Sequence, residues 1–480
     1  MWKDVKVDRW ESQVEIQVPE SAMIIEPEAK GGQSSDPIEK IKRALKNPLG
    51  MERIRAIVNR GSRVAIAFDD PTKLSPNYLA IPVILDELHE AGVKKDNIVL
   101  VSANGTHRKY TPSEYIEYRN VGYGLPPGKG IPKIPKEILY DFWPHRFIQH
   151  NGANTKNFVN MGYSRLGDLV ECNRILVDHD LVIYVGGAQP MKWGGYGGTG
   201  VVIGLSSAES IASHHTVRVI GHKESCHADP RTHLYRAHKD AVMEKIEESI
   251  GKKVFYVEGV VNGAREWTDF FAGHFKEIQE PAWKAGDQDR LYPAEQADVI
   301  IAGLPRWCAP YDTSRNPLVC VSAASSILRM WVGKPILREG GILILIAVCD
   351  GFIDTTALPS YPEVIDLFGK MGNAQRLEEK YLEEFLFFRE DYLKKHMAGA
   401  ANHPVHPFWL CAETQYVHDH VGKLIIATAE NPEAVRKVGG TWAEDFGQAW
   451  KMAEKLVGKN PRCLVLPTFF SRFPFKFAVK

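Results

Sequence analysis

Three short stretches carry side chains whose types and spacing suit chemistry on a small anion. The first, FDDPTKLSP at 68–76, sets Asp69, Asp70, the Thr72 hydroxyl and the Lys73 cation ahead of a run that reads as a helix. A lysine there meets a carboxylate or phosphate together with the positive end of a helix dipole. The same residues also suit an Asp cap with a solvated lysine. The second, SANGTHRKYTPSEY at 102–115, delivers His107 just past a Gly-Thr turn at the end of an apolar strand. An imidazole in that position is either a general base near neutral pH or a hydrogen-bonded structural histidine. The third is the glycine-rich run GGAQPMKWGGYGGTGVVIGLSSAESIASHH at 186–215, which closes on His214 and His215. Its GYGGTG matches G-x-G-x-x-G, but a dinucleotide fingerprint needs a strand directly before it and a helix directly behind. Here the strand ends about ten residues earlier and VVIGL reads as extended, which argues against a dinucleotide. A helix is expected from Ser206, with Glu209 at capping-box spacing, so that one of the two histidines faces the loop. Imidazole is a common ligand for nickel, zinc and copper.

These stretches sit on alternating strands and helices. RVAIAFDD (63–70), NIVLVSANG (97–105), LVIYV (181–185), ADVIIAGL (297–304), GILILIAVC (341–349), KLIIATA (423–429) and RCLVLP (462–467) read as strands, and PIEKIKRALKNP and YLAIPVILDELHEAGV as helices. The pattern predicts an α/β fold of two α/β domains with mainly parallel sheets and an active-site cleft between them. The polar run FKEIQEPAWKAGDQDRLYPAEQ, interrupted by Pro281 and Pro293, suggests a boundary, giving domains over 1–285 and 286–480. GGQSSDP at 31–37 reads as a surface loop. In 374–395, Leu377, Tyr381, Phe385, Phe388 and Tyr392 recur at helical spacing, as a core-facing stripe would. The histidine-rich HKESCHADPRTHLYRAH (222–238) fits no standard zinc spacing and reads as surface helix and loop.

Bulk composition excludes several classes. Lys+Arg 59 balances Asp+Glu 59, so no basic field points to nucleic acid. No apolar run approaches the ~18 residues of a membrane span, and no signal peptide opens the chain. The seven cysteines are scattered singly, as expected of reduced thiols in a cytoplasmic protein. A small-molecule substrate is the expected partner, with no nucleic acid and no membrane; oligomeric state is not legible.

Taken in order along the chain, these motifs resemble those of the nickel-pincer lactate racemases and their 2-hydroxyacid racemase relatives. RALKNPLG is similar to an early ALxNPxG element, DDPTKLSP to D-x-T-R-P-x-P, and NGTHRKYT to G-T-H-R-x-M-T. HNGAN (150–154) stands where a His-Asp pair is usual, and 186–215 resembles the glycine-rich loop and helix that end on a metal-binding histidine. The resemblance implies that His107 is a catalytic histidine, that Asp70, Thr72 and Lys73 bind substrate, and that His215 is the nickel ligand. Lys73 stands where an arginine would grip the carboxylate, keeping the charge but losing the bidentate fork. Counting back from His215 puts Thr199 at the tethering lysine, beside Gly197 and Gly198 of the cofactor loop, and Gln189 at the second catalytic histidine. A two-residue slide brings Met191 and Val201 there instead, and neither register supplies a lysine. The substrate-binding Gln-x-x-Lys of the second domain is also missing, since 301–340 holds no glutamine and only Lys334.

Three functions follow. One is a racemase or epimerase of a 2-hydroxy acid or sugar acid, with a nickel pincer nucleotide held without the lysine tether. The second is a binding or regulatory paralogue that has lost the reaction. The third is a hydro-lyase or epimerase using His107 and a plain divalent metal at His215, Asp69 or Asp70. Trp193, Tyr196, Trp307 and Tyr311 suggest a ligand bulkier than lactate.

Overall fold

The computed structural model describes residues 1–27, 36–118, 130–196, 199–306, 310–472 and 475–480. The chain is α/β, built on two mainly parallel sheets. The first has six strands in the spatial order Trp267–Gly273, Phe255–Val261, Leu181–Gly187, Val64–Asp69, Ile98–Ala103, Phe147–Gln149. All neighbours are parallel except the first pair. The chain enters at Val64–Asp69 in the middle, winds outward through Ile98–Ala103, then crosses back to Leu181–Gly187 on the other side. The strand order therefore reverses between Val64–Asp69 and Leu181–Gly187. Such a switch point opens a crevice beyond the carboxyl ends of the strands, where ligands of open α/β sheets bind. Both strands are apolar throughout (VAIAFD and LVIYVGG) because helices cover both faces of the sheet.

The second sheet is centred on Ala297–Pro305, flanked on one side by Leu337–Ile346, Lys423–Ala427 and Thr441–Ala443 and on the other by Cys463–Leu466. It draws on both ends of the chain: the hairpin Trp2–Trp10 and Ser12–Pro19 joins it through Arg9 and Trp10, which pair with Leu304 and Pro305. Two helices of this half, Pro317–Arg329 and His406–His420, pack together and are buried almost end to end. Among the described residues no helix is long and apolar enough to cross a membrane.

Several local expectations change. The run expected as an interdomain linker forms a helix, Phe275–Arg290, that tolerates Pro281 because Phe275, Ile278, Ala282 and Trp283 bury one face. VVIGL is helical rather than extended: Gly200–Gly204 is a single turn following Thr199 in the left-handed region. The next helix, Ala208–His214, is capped by Ser207 rather than Ser206, its hydroxyl accepting from the Ser210 amide. The segment 222–238 is only partly at the surface: Lys223, Glu224, Arg231 and Thr232 are exposed, whereas Cys226, His233, Tyr235 and Arg236 are buried. In the 374–395 run, Leu377 and Phe385 reach the core but Phe388 is 66 % exposed. A π-helical turn over Glu384–Phe388 inserts an extra residue and rotates Phe388 off the buried stripe. The 31–35 part of the expected surface loop lies outside the described residues. Six described cysteines are free thiols.

Candidate active site

The chemically loaded stretches all emerge at the carboxyl edge of the first sheet, on either side of its switch point. Asp69 closes one strand, and Asp70 and Lys73 follow it. Past the neighbouring strand end, Gly105 takes φ +56, and a Cβ there would lie 2.8 Å from the Ile203 carbonyl oxygen, so the turn requires glycine. The turn is pinned by Ser102 Oγ donating to Asn104 Oδ1 (2.6 Å) and Asn104 Nδ2 donating to the Arg108 carbonyl (3.0 Å), which delivers His107 to the crevice.

One cavity of about 160 Å³ gathers these residues. Asp70, Lys73 and His107 line it from one side, with Gln189 and His215 from the loop and helix beyond Leu181–Gly187. His406, Trp409 and Leu410, from the helix His406–His420, complete the lining from the second half of the chain. Thr72 and Thr199 are buried but are not among the lining residues. Gly197 and Gly198 lie outside the described residues, as does Trp307. Trp193 and Tyr196 line the cavity, whereas Tyr311 stacks behind it on His406.

His107 and Asp70 form a dyad. Asp70 Oδ1 accepts from the Thr72 amide (2.7 Å) and hydroxyl (2.6 Å), and its Oδ2 lies 2.8 Å from His107 Nδ1. Thr72 thus acts through Asp70. Burial pushes the Asp70 carboxyl up, but the His107 charge and hydrogen bond, with Lys73, outweigh it and hold Asp70 well below the usual carboxylate range. An ionised Asp70 fixes the proton of His107 on Nδ1, leaving Nε2, which makes no hydrogen bond to a described residue, as the acceptor. Lys73 is half-buried, its Nζ 5.8 Å from the Trp193 ring centroid and without a hydrogen bond or ion pair to a described residue. Behind it, the buried Lys133 donates to the Lys73 carbonyl at 2.5 Å.

Gln189 is 4 % exposed. Its Nε2 donates to the Leu74 carbonyl at 3.3 Å, and its Oε1 is buried with no hydrogen-bond partner. A buried acceptor without a donor costs about 1–3 kcal/mol. Gln189 also lines the cavity, so its amide lies beside the space that a ligand would fill.

His215 Nδ1 lies 3.0 Å from the Ile211 carbonyl, which requires the proton on Nδ1, and Nε2 accepts from the Tyr235 hydroxyl at 2.9 Å. Burial, then the neighbouring His214, drives His215 well below the ordinary imidazole range, so it is a neutral imidazole capped by a phenol. Among the described residues no three His, Cys, Asp or Glu side chains gather as a metal cage. Asp69, invoked above as a ligand for a plain divalent ion, is instead engaged by the Ser75 and Tyr184 hydroxyls. This donor set does not fit a bare divalent ion, and His215 would offer Nε2 to a metal-bearing group only with the Tyr235 hydroxyl displaced.

Other lining residues were not singled out in the sequence. Lys239 lies on the buried stripe Tyr235–Lys239–Val242–Ile246 of the helix Leu234–Ile250, and Glu258 sits within the wholly buried strand FYVEGVV. An ionisable residue at a core period is a legible signal, but the histidine-rich run 222–238 stops one residue short of Lys239. His406 packs 5.3 Å from His107 between ring centroids, and its Nδ1 pairs with the Tyr361 hydroxyl at 2.8 Å. The loop bearing Gln189 is latched to the second half by the fully buried Glu413, which accepts from Lys192 Nζ (2.8 Å) and Trp193 Nε1 (2.7 Å).

The site is a doubly wound α/β scaffold with a histidine–carboxylate dyad and a cavity-lining lysine at its switch point. Comparison with known proteins narrows this. Residues 9–227 match the lactate racemase N-terminal domain model. The lactate racemase of Thermoanaerobacterium thermosaccharolyticum is 21 % identical over 439 residues, covering 89 % of this chain and 88 % of its own. That of Lactiplantibacillus plantarum is 20 % identical over 312 residues, 64 % of this chain and 65 % of its own. The lactate racemase apoprotein structure from T. thermosaccharolyticum superposes with a TM-score of 0.69 at 19 % identity, covering 100 % of both chains. A Thermotoga maritima protein gives 0.57 at 16 % identity, over 94 % of this chain and 100 % of its own. Residues 9–227 thus match a lactate racemase N-terminal domain, and over most of its length the chain is similar to lactate racemases.

Proposed function

We propose that the protein is a racemase or epimerase of a hydroxy acid of the sugar-acid class, one with a second hydroxyl beside the 2-hydroxyl. The observation that carries this reading is the pair of unfilled acceptors in one cavity, His107 Nε2 and Gln189 Oε1, with the unpaired Lys73 cation beside them. One hydroxyl donates only one hydrogen, so two acceptors ask for two O–H groups. Lys73 holds the carboxylate, the 2-hydroxyl donates to His107 Nε2, and the second hydroxyl satisfies Gln189 Oε1. His107 takes the 2-hydroxyl proton, its Nδ1–H anchored on Asp70, which stabilises the imidazolium as it forms. Trp193 and Trp409 shield the cavity from water. His215, once released by the Tyr235 hydroxyl, would hold a nickel pincer group without a lysine link, and that group would supply hydride acceptance.

Gln189 exchanges no proton near pH 7, which favours a second reading: a binding or regulatory paralogue that holds the same acid without turning it over. One experiment separates the two. Protein made alongside the pincer-synthesis enzymes is incubated with single stereoisomers of 2,3-dihydroxy acids, and the products are resolved by chiral chromatography. Inversion at C2 that His107→Ala abolishes supports the enzyme. Binding without inversion across the panel supports the paralogue, and neither binding nor inversion removes both.

A further inference from the structure

The cavity has a second chemical end that the reading above does not use. The strand bearing Glu258 and the strand preceding His107 are three interstrand spacings apart in the sheet order, roughly 14 Å. At the Glu258 end, Lys239 and Glu258 line the cavity together, 3 % exposed each, one from a helix and the other from the sheet. Lys239 Nζ donates to the Trp193 carbonyl at 3.0 Å and stands 5.1 Å from the Tyr235 ring centroid. It has no carboxylate within ion-pairing distance, although Asp240 is next to it in sequence; Arg236 takes that carboxylate at 3.1 Å.

From this arrangement we infer that Lys239 is a nucleophilic amine that captures the carbonyl of a small aldehyde or ketone as an imine, with Glu258 shuttling protons. The neutral amine adds to the carbonyl carbon, and one N–H proton passes to the oxygen to give a carbinolamine. Glu258 in its acid form protonates the hydroxyl as the C–O bond breaks, and it recovers a proton from nitrogen. The products are the imine and one water, with no change of oxidation state. Burial, then the Arg236 charge, lowers the Lys239 ammonium to about 7, against the pull of Asp240 and Glu258. Burial raises the Glu258 carboxyl to about 7, with Arg236 opposing. Both groups therefore hold and release protons near neutrality, as amine capture requires. The ligand class follows from the amine and from a cavity of about 160 Å³: a small, unhindered carbonyl compound. This goes beyond the isomerase reading and needs neither nickel nor turnover.

The test is reductive trapping. The full-length protein is incubated with glyoxylate and cyanoborohydride at pH 7, then examined by intact mass and peptide mapping. The expected result is one reduced adduct on the peptide containing Lys239, formed at least tenfold faster than on any exposed lysine. Glu258→Gln should slow capture about 100-fold, and Lys239→Arg should abolish it. Where either variant fails to fold, the peptide map of the unaltered protein decides alone. An adduct spread over surface lysines, or none at Lys239, overturns the inference whether or not the protein isomerises hydroxy acids.

Discussion

Replacing Gln189 with methionine tests the assignment of its orphaned oxygen. The amide is oriented by its own hydrogen bond: Nε2 donates to the Leu74 carbonyl, and flipping the group would set two oxygens against each other. Oε1 therefore stays an unpaired acceptor until a ligand arrives. A hydroxyl that reaches it recovers about 1–3 kcal/mol, a preference of roughly 5- to 150-fold for a 2,3-dihydroxy acid over the acid lacking only the 3-hydroxyl. Methionine keeps the volume and removes the acceptor. In Gln189→Met that preference should fall to within about twofold, while affinity for the simpler acid is unchanged. The ligand-free variant should melt no lower than the parent. It exchanges one unsatisfied acceptor for another, because the Leu74 carbonyl loses its 3.3 Å donor as Oε1 disappears, and the two costs of about 1–3 kcal/mol offset. Isothermal titration with both acids, alongside thermal melts, measures the two effects. An undiminished preference in the variant, or none in the parent, refutes the argument.

Tyr235→Phe should free His215 Nε2 and raise nickel retention about 2- to 12-fold after co-production with the pincer-synthesis enzymes, read by elemental analysis; His215→Ala should abolish it. Glu413→Gln should cost about 2–3 kcal/mol, because Lys192 loses its counter-charge and the new amide donor faces Trp193 and Ser322. Lys192→Met/Glu413→Gln should then melt well above the sum of the single losses, and simple additivity would count against the latch. Burial lowers His150, His214 and His396 to about 4. The unfolded chain thus binds more protons than the folded one between pH 6.5 and 4, and each histidine removes up to about 3 kcal/mol as pH falls through that window. Glu378, raised to about 8 by burial where its carboxylate accepts from the Val217 amide, acts oppositely. Its contribution is intact below its unfolded pKa and is lost as pH rises through 8. Thermal stability should therefore decline on both sides of neutrality, and a flat profile from pH 4 to 6.5 would mean that these imidazoles are not held neutral.

The strands and the residues at their ends were legible because each is a short apolar run followed at once by polar chemistry, a pattern that survives without tertiary information. Leu181–Gly187 and Ile98–Ala103 are of this kind. What failed depended on context. VVIGL has extended propensity, yet it forms a helical turn because Val201 and Val202 bury against the sheet. Phe388 left its stripe through a single π turn that no periodicity count anticipates. Lys239 and Glu258 were overlooked for a different reason: charge at an interior position looks like surface until the neighbouring apolar residues are weighed by register. The contribution of His406 is a long-range contact, which no local pattern encodes.

The two ends of the cavity also differ in how firmly they hold charge, and that difference follows from topology. At the Asp70 end the carboxylate is ionised against His107 and Lys73, and its charge is fixed over the whole neutral range. At the Glu258 end, two strands beyond the switch point, burial leaves Lys239 and Glu258 close to half-protonated. A fixed field suits gripping an anion, whereas a poised pair suits moving protons, because transfer is easiest between groups of matched affinity. Asp69, between the two ends, is raised by burial although Ser75 and Tyr184 donate to it, so it does not extend the fixed charge across the floor. A cavity with glutamine at 189 and threonine behind it at 199 is therefore not empty of proton chemistry. Glu258→Gln should remove proton traffic at its own end while Lys73 still grips acids with undiminished affinity. Equal loss of both functions in that variant would show that the cavity works as one undivided unit.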